Sequence, residues 1–209
     1  MILLPIPQVS AGIIAGGQSR RFGRPKALAQ LQGQPLIEYA IRTAGAISNI
    51  VMLSYGTHHF FPDSRVVPIA DRIPDCGPLG GIFSVLVAAS TPWVAVLPCD
   101  MPLLRPEVYE VLYAHRREGR PVVACSRNGL EPLVSLWPVE VAGKLESRLK
   151  EGRLALHRAV EALEGIQVSM VDHFPRDHVY LFRNVNYPQD LEAIAAYLRE
   201  RGGDVSLSK

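Results

Sequence analysis

Apolar residues along this chain follow two rhythms, and the rhythms alternate. Residues 9–17, VSAGIIAGG, form a short Ile- and Val-rich run ending in glycines, the pattern of a buried strand that opens into a loop. Residues 35–47, PLIEYAIRTAGAI, then place Leu36, Ile37, Ala40, Ile41 and Ala44 at helical spacing behind a proline suited to a first turn. NIVMLS (49–54) and SRVVPIA (64–70) predict two further strands. The clearest strand is TPWVAVLPCD (91–100), which opens on Thr91 and Pro92 and ends on Asp100. Between these runs GPLGGIFSVLVAAS (77–90) reads as a helix that starts in glycines.

Farther on, PEVYEVLYAHRREG (106–119) predicts a helix, RPVVACS (120–126) and LEPLVSLW (130–137) predict strands, and 138–163 holds two helical stretches. IQVSMV (166–171) and VYLFRNVN (179–186) read as extended, and PQDLEAIAAYLRERGG (188–203) reads as a closing helix ending in two glycines. Strand and helix alternate, which predicts an α/β fold: a single-domain Rossmann-like three-layer sandwich, its sheet mostly parallel with helices on both faces. One domain over 1–200 is expected, with 201–209 as a flexible C-terminal tail. In such sheets ligands bind outside the carboxyl ends of the strands, which singles out the loop after the first strand, Ser54, Asp71 and Asp100.

Composition narrows the classes. Of 209 residues, 48% are hydrophobic and 20% charged, ordinary globular usage that excludes a disordered chain. A net charge of +2 is too small to predict nucleic-acid binding, and the basic cluster of LYAHRREGR reads as the solvated end of a helix. Cys76, Cys99 and Cys125 are odd in number and lack ligand spacing, so neither a disulfide framework nor a zinc site is indicated and a reduced cytoplasmic protein is expected. The N-terminus has no Lys or Arg before Arg20 and is broken by Pro5 and Pro7, unlike a secretory signal. No stretch reaches the roughly 18 uninterrupted apolar residues of a membrane span. His58 and His59 point to opposite faces of an extended segment with no third ligand in view, and read as a surface pair.

The candidate chemistry begins in IAGGQSRRFGRPK (14–26), with three glycines, three arginines and a lysine. It is not a Walker A loop, because Arg24 and Pro25 separate Gly23 from Lys26, and it is not a G-x-G-x-x-G fingerprint, because Gly16 and Gly17 are adjacent. Adjacent glycines still let the main chain turn sharply and offer its NH groups to an anion, and Arg20, Arg21, Arg24 and Lys26 add charge there. Taken alone, the loop is either a phosphate cradle or a solvated basic turn. Asp100 favours the first: it follows an apolar strand, too early to cap the helix near Pro106, and offers a hard oxygen ligand to Mg2+ at the same sheet edge.

These residues resemble the MobA-like nucleotidyltransferases, and within them the molybdenum cofactor guanylyltransferases. IIAGGQSRRFGRPKALAQLQGQPLIEYA is similar to the family's opening L-A-G-G-x-S-x-R-M-G-x-D-K signature, GPLGGI to G-P-L-A-G-I, PCDMPLL to C-D-M-P, EPLVSLW to the segment facing the pterin substrate, and NVNYPQDL to N-I-N-T-P-E-D-L. The resemblance runs in order over residues 9–195. It implies transfer of GMP from GTP to the terminal phosphate of molybdopterin or Mo-molybdopterin, with Mg2+ as cofactor. Ile14, Ala15, Gly16 and Gly17 would cradle the nucleotide, Lys26 and Arg21 would contact its phosphates, and Asp71 would help bind GTP. Asp100 would hold Mg2+, with Asn186 as a second metal or phosphate contact. Other cofactor-biosynthesis proteins or apo-molybdoenzymes are implied partners; nucleic acid and membrane are not.

The chain departs from the pattern at four places: Pro25 replaces Asp, Phe22 replaces Met, Gly80 replaces Ala, and Ser54 stands where an asparagine often contacts the nucleoside. A single hydroxyl cannot reproduce an amide's paired donor and acceptor, so a cytidylyltransferase or another transferase of this fold stays open beside the guanylyl enzyme. So does a non-catalytic nucleotide sensor or cofactor-delivery module. Trp93 reads as core, whereas Trp137 can pack either against a pterin ring or into the core or its rim.

Overall fold

The computed structural model describes residues 5–16, 25–56, 63–176 and 178–200. Gly17, Arg20, Arg21, Arg24, His58, His59 and the tail 201–209 lie outside them. The first strand, β1 (Val9–Ile14), is buried at all six positions because it is flanked on both edges and covered on both faces. Val9, Ala11 and Ile13 enter the core cluster on one face and Ile14 enters the cluster on the other, so the period-2 strand feeds two cores at once. Burying one such side chain as large as Ile13 is worth about 1.5–3 kcal/mol. Gly12 belongs in this strand for steric reasons, since a Cβ there would lie 3.0 Å from Val85 Cγ2 of a covering helix.

From β1 the chain reaches a 3-10 turn at Lys26–Leu28 and a small hairpin, β2 (Gln30–Leu31) with β3 (Gln34–Pro35). Gln32 and Gly33 both have positive φ, +49° and +78°, as a two-residue hairpin turn requires. Helix α1 (Leu36–Ile47) follows, and Ser48 ends it by donating its hydroxyl to Val9 O at 2.6 Å and accepting from Ile50 N at 3.0 Å. Next come β4 (Val51–Ser54), β5 (Val67–Ile69), α2 (Gly77–Ala88), β6 (Trp93–Pro98) and α3 (Glu107–Ala114). The second half adds β7 (Val122–Ser126), β8 (Gly129–Pro138), α4 (Ala142–Lys150), α5 (Leu156–Ala162), β9 (Ile166–Ser169), α6 (Met170–His173), α7 (His178–Leu181) and α8 (Pro188–Glu200).

Seven strands form one sheet in the order β5-β4-β1-β6-β8-β7-β9, parallel except that β8 runs antiparallel to both its neighbours. Helices α1, α3, α6 and α7 contribute to the core on one face, and α2, α4 and α5 to the core on the other. The expected three-layer α/β domain is therefore present. A third, smaller cluster joins α8 to the β2–β3 hairpin through Leu31, Leu36, Val185, Ile194 and Leu198.

Three expectations change. VYLFRNVN is not extended: Leu181 and Phe182, adjacent in sequence, both enter the same core cluster, which the alternation of a strand does not allow. IQVSMV is a strand only through Ser169, after which Met170 turns into α6 and is fully buried. The helix of 106–119 stops at Ala114, and residues 117–120 form a bridged turn at Gly119, whose φ is +69°.

Candidate active site

The chain leaves β1 for β4 on one side, and β6 joins β1 on the other, so strand order reverses at β1 and a crevice opens at the carboxyl ends. Register sets the level of its parts: Ile14 pairs with both Ser54 and Pro98. Ala15 N donates to Ser54 O at 2.9 Å, extending the β1–β4 ladder one residue past the strand. Gly16 and Gly56 then nearly touch, since a Cβ on Gly16 would lie 3.2 Å from Gly56 Cα. Any larger residue at either position would separate the two loops.

Into this crevice the fold brings Lys26, Asp100 and Asn186, remote in sequence. Lys26 Nζ donates to Asp100 Oδ2 at 2.6 Å and to Asn186 Oδ1 at 3.1 Å, and the lysine and aspartate side chains are only 15% and 23% exposed. Each is held from behind. Pro25 has φ −54° and its carbonyl accepts Leu28 N at 3.0 Å, so the proline starts the 3-10 turn that carries Lys26. That gives the departure from the usual acidic residue a backbone role. Tyr109, fully buried on α3, donates its phenol to Val96 O at 2.7 Å beneath the strand that ends near Asp100. Asp100 O accepts Val185 N at 2.9 Å, which docks the closing segment on the sheet edge. Asp190, at the third position of α8, accepts from Asn186 N at 2.7 Å and Tyr187 N at 2.8 Å, half of a capping box that fixes where Asn186 stands.

The other side of the crevice is built around Asp71. Ser54 is 1% exposed and donates its hydroxyl to Asp71 Oδ1 at 2.9 Å. Asp71 is half-buried; burial lifts its carboxyl above the usual aspartate range, and the Ser54 hydrogen bond works against that rise. Gly81 of α2 forms the wall behind the pair, where a Cβ would lie 2.8 Å from Ser54 Oγ. Gly80 is similarly confined, its Cβ position lying 2.8 Å from Cys76 Cβ, which accounts for a glycine in place of the family's alanine.

Glu131 of β8 is a further half-buried carboxylate. Burial raises its carboxyl, the Ser126 hydroxyl donating at 2.7 Å lowers it, and the charge of Asp100 raises it further. It was not among the residues singled out from sequence, although EPLVSLW contains it; Asp190, four residues after Asn186, was likewise legible as the acid of an α8 cap. Trp137 belongs to the core: it is fully buried among residues of α2, α4 and α5, and its indole NH donates to Ser135 Oγ at 2.7 Å. It has no face left for a pterin ring. Cys99, beside Asp100, is no nucleophile, since burial together with the Asp100 charge pushes its thiol up to about 12.

Residues 11–168 match the family of MobA-like NTP transferase domains. The chain belongs to the MobA-like NTP transferase family. It is 32% identical over 193 residues to the molybdenum cofactor guanylyltransferase of Vibrio atlanticus (strain LGP32), covering 91% of this chain and 96% of that one. It is 30% identical over 200 residues to the molybdenum cofactor guanylyltransferase of Pseudomonas syringae pv. syringae (strain B728a), covering 91% and 95%. In fold it matches the crystal structure of molybdopterin-guanine dinucleotide biosynthesis protein A from Archaeoglobus fulgidus with a TM-score of 0.77 at 20% identity, covering 91% of this chain and 99% of that one.

The donor set of this MobA-like domain fits a hard cation shared with a substrate. Among the described residues no three His, Cys, Asp or Glu side chains cluster as a cage for a metal. Mg2+ usually takes one or two carboxylates and completes its shell with phosphates and water, and the Asp100 carboxylate and Asn186 amide oxygen, both bonded to Lys26 Nζ, are oxygen donors of that kind.

Proposed function

We propose that this MobA-like domain transfers the GMP unit of GTP to the terminal phosphate of molybdopterin, with or without molybdenum, releasing pyrophosphate. The convergence of Lys26, Asp100 and Asn186 at the switch point carries the proposal, because it provides a cation and hard oxygen ligands where a triphosphate would lie. The shared name of the relatives supports guanine over cytosine. In the transfer, an acceptor phosphate oxygen bonds to the α-phosphorus of GTP while the α–β bridging oxygen leaves with the electron pair of the broken P–O bond.

The attacking oxygen is already an anion, so no strong general base is required and the task is electrostatic. Lys26 balances charge on the phosphates, and Gly16 lets the main chain approach them without a side chain in the way. Asp71, positioned by Ser54, accepts hydrogen bonds from the nucleoside. Ser54 thus acts through Asp71, because its own proton is committed there. Asp100 and Asn186 would hold Mg2+, and the chemistry such an ion would supply is neutralisation of phosphate charge. Arg21 and Gly17, which lie outside the described residues, would by the family resemblance alone add a phosphate contact and a main-chain contact.

Three free cysteines suit a reducing cytoplasm, and no helix among the described residues is long and apolar enough to cross a membrane. Pyrophosphate release measured with GTP, CTP and ATP in the presence of molybdopterin tests the proposal. Turnover with GTP is expected. A preference for CTP would reassign the protein to cytidylyl transfer, and GTP binding without pyrophosphate under any substrate condition would make it a nucleotide sensor or cofactor-delivery module.

A further inference from the structure

Glu131 is a half-buried carboxylate to which the transfer chemistry gives no task. The sheet fixes where it stands. β8 pairs with β6 from Pro138 opposite Trp93 to Ser135 opposite Val96, and there that ladder stops, although β6 runs on against β1 as far as Pro98 opposite Ile14. Against its other neighbour β8 continues, with Glu131 opposite Ala124 and Gly129 opposite Ser126. β8 therefore parts from β6 at the carboxyl edge while keeping to β7, and Glu131 lies past the last β6–β8 pair, at the edge that also carries Asp100. Strand order puts it across β6 from β4 and β5, the side that holds Ser54 and Asp71.

The parting is built into β8. Ser135 lies opposite Val123 and Glu131 opposite Ala124, so residues 132–134 are extra on β8 and form a bulge. Ser135, fully buried, donates its hydroxyl to Pro132 O at 2.8 Å and accepts from the Trp137 indole at 2.7 Å, which pins the bulge from inside the core. Bulges beside active sites commonly re-aim a side chain, and Glu131 is the charged residue next to this one. Its Oε1 accepts the Ser126 hydroxyl at 2.7 Å. Its Oε2 receives no hydrogen bond from the described residues and is not among their sealed polar atoms, so it is open to a ligand. Asn128 N closes the β7–β8 turn at 3.0 Å through Ser126 Oγ and not through the carboxylate. Half-burial leaves the charge short of solvation, which raises the carboxyl and makes an arriving N–H donor favourable.

We propose, resting on the transfer to molybdopterin inferred above, that Glu131 is a specificity-determining residue for the acceptor and receives two neighbouring N–H donors of its aminopyrimidinone ring. A carboxylate repels the acceptor's phosphate, so the heterocycle is the part it can hold. The ring N–H and exocyclic NH2 of a pterin lie side by side, and a carboxylate has about four lone-pair sites, of which Ser126 uses one. A ring without those donors is rejected, because the half-buried carboxylate is then left unpaired. Guanine carries the same edge, but a position across β6 from Asp71 assigns Glu131 to the acceptor.

Pyrophosphate release with molybdopterin and GTP varied in turn, in wild type, Glu131→Gln and Ser126→Ala, tests the assignment. Glutamine keeps the shape and can still accept from Ser126, but it sets an NH2 against the donors of the ring. Glu131→Gln should raise the KM for molybdopterin about tenfold or more, with kcat changing less and with the KM for GTP and the Tm unchanged. Ser126→Ala, which only frees the carboxylate, should raise the same KM about threefold. An unchanged KM for molybdopterin in Glu131→Gln would overturn the assignment and leave the transfer reading standing. A rise confined to the KM for GTP would overturn it by moving Glu131 to the guanine base, and a rise in both with a fall in Tm would make Glu131 a packing residue. A wild type that does not turn over molybdopterin would remove the transfer reading and this assignment together.

Discussion

Asp100 and Asp71 stand at the same carboxyl edge of one sheet, yet opposite kinds of group face them. Asp100 meets an ammonium at 2.6 Å, and that ammonium also donates to the Asn186 amide oxygen at 3.1 Å. Asp71 meets a neutral hydroxyl at 2.9 Å, and burial raises its carboxyl. One environment manages charge and suits phosphates and a divalent cation. The other offers a lightly compensated acceptor and suits the neutral donors of a nucleoside. The two halves of the proposed GTP site thus differ in electrostatic character.

Breaking the Asp100 half should have the largest effect. Asp100→Ala should lower kcat on the order of a hundredfold or more in saturating GTP, because removing one preorganised electrostatic group commonly does so. Near-wild-type turnover at low Mg2+ would remove Asp100 from its proposed role. Lys26→Met should lower kcat/KM by about tenfold to a hundredfold, with the loss growing when the triphosphate is retained but Mg2+ is limiting. Pyrophosphate release kinetics across a Mg2+ series would measure both.

The Asp71 half should respond in KM. Gly81→Ala drives a Cβ to within 2.8 Å of Ser54 Oγ and should raise the KM for GTP by about tenfold through displacement of Ser54 and Asp71, with kcat changing less. An unchanged KM would show that the wall is not needed. Ser54→Ala is the mildest change, expected to raise KM for GTP about three- to tenfold at neutral pH while sparing kcat. It also carries a sign. Asp71 must be ionised to accept from GTP, so affinity is full at high pH and lost as pH falls through its pKa. Burial has already moved that loss to higher pH than an ordinary aspartate, and the Ser54 hydrogen bond opposes the move. Deleting the hydroxyl should therefore shift the acid limb of the GTP KM profile to higher pH; a shift to lower pH would contradict the assigned hydrogen bond.

Much of this was legible in the sequence, for identifiable reasons. The glycines after β1 and the lone acid after the apolar run of β6 announce a sheet-edge site because strand periodicity and edge position are local properties. The antiparallel course of β8 was also available: Arg127 and Asn128, the two residues between β7 and β8, leave no room for the dozen or more residues that a parallel crossover needs. Ser54 shows the limit. Its type and its place at a strand end are readable, but its partner Asp71 lies 17 residues away and its wall, Gly81, belongs to a helix on one face of the sheet.

The sequence by itself determined the alternation of strands and helices, the polyanion-ready loop and the family, all of which rest on neighbours within a few residues or on motifs in order. Tertiary structure decided that Lys26 meets Asp100 across 74 residues and Asn186 across 160, and that Ser54 serves Asp71. Those contacts depend on strand order and register, and a one-residue slip of β6 against β1 would move Asp100 relative to everything it touches.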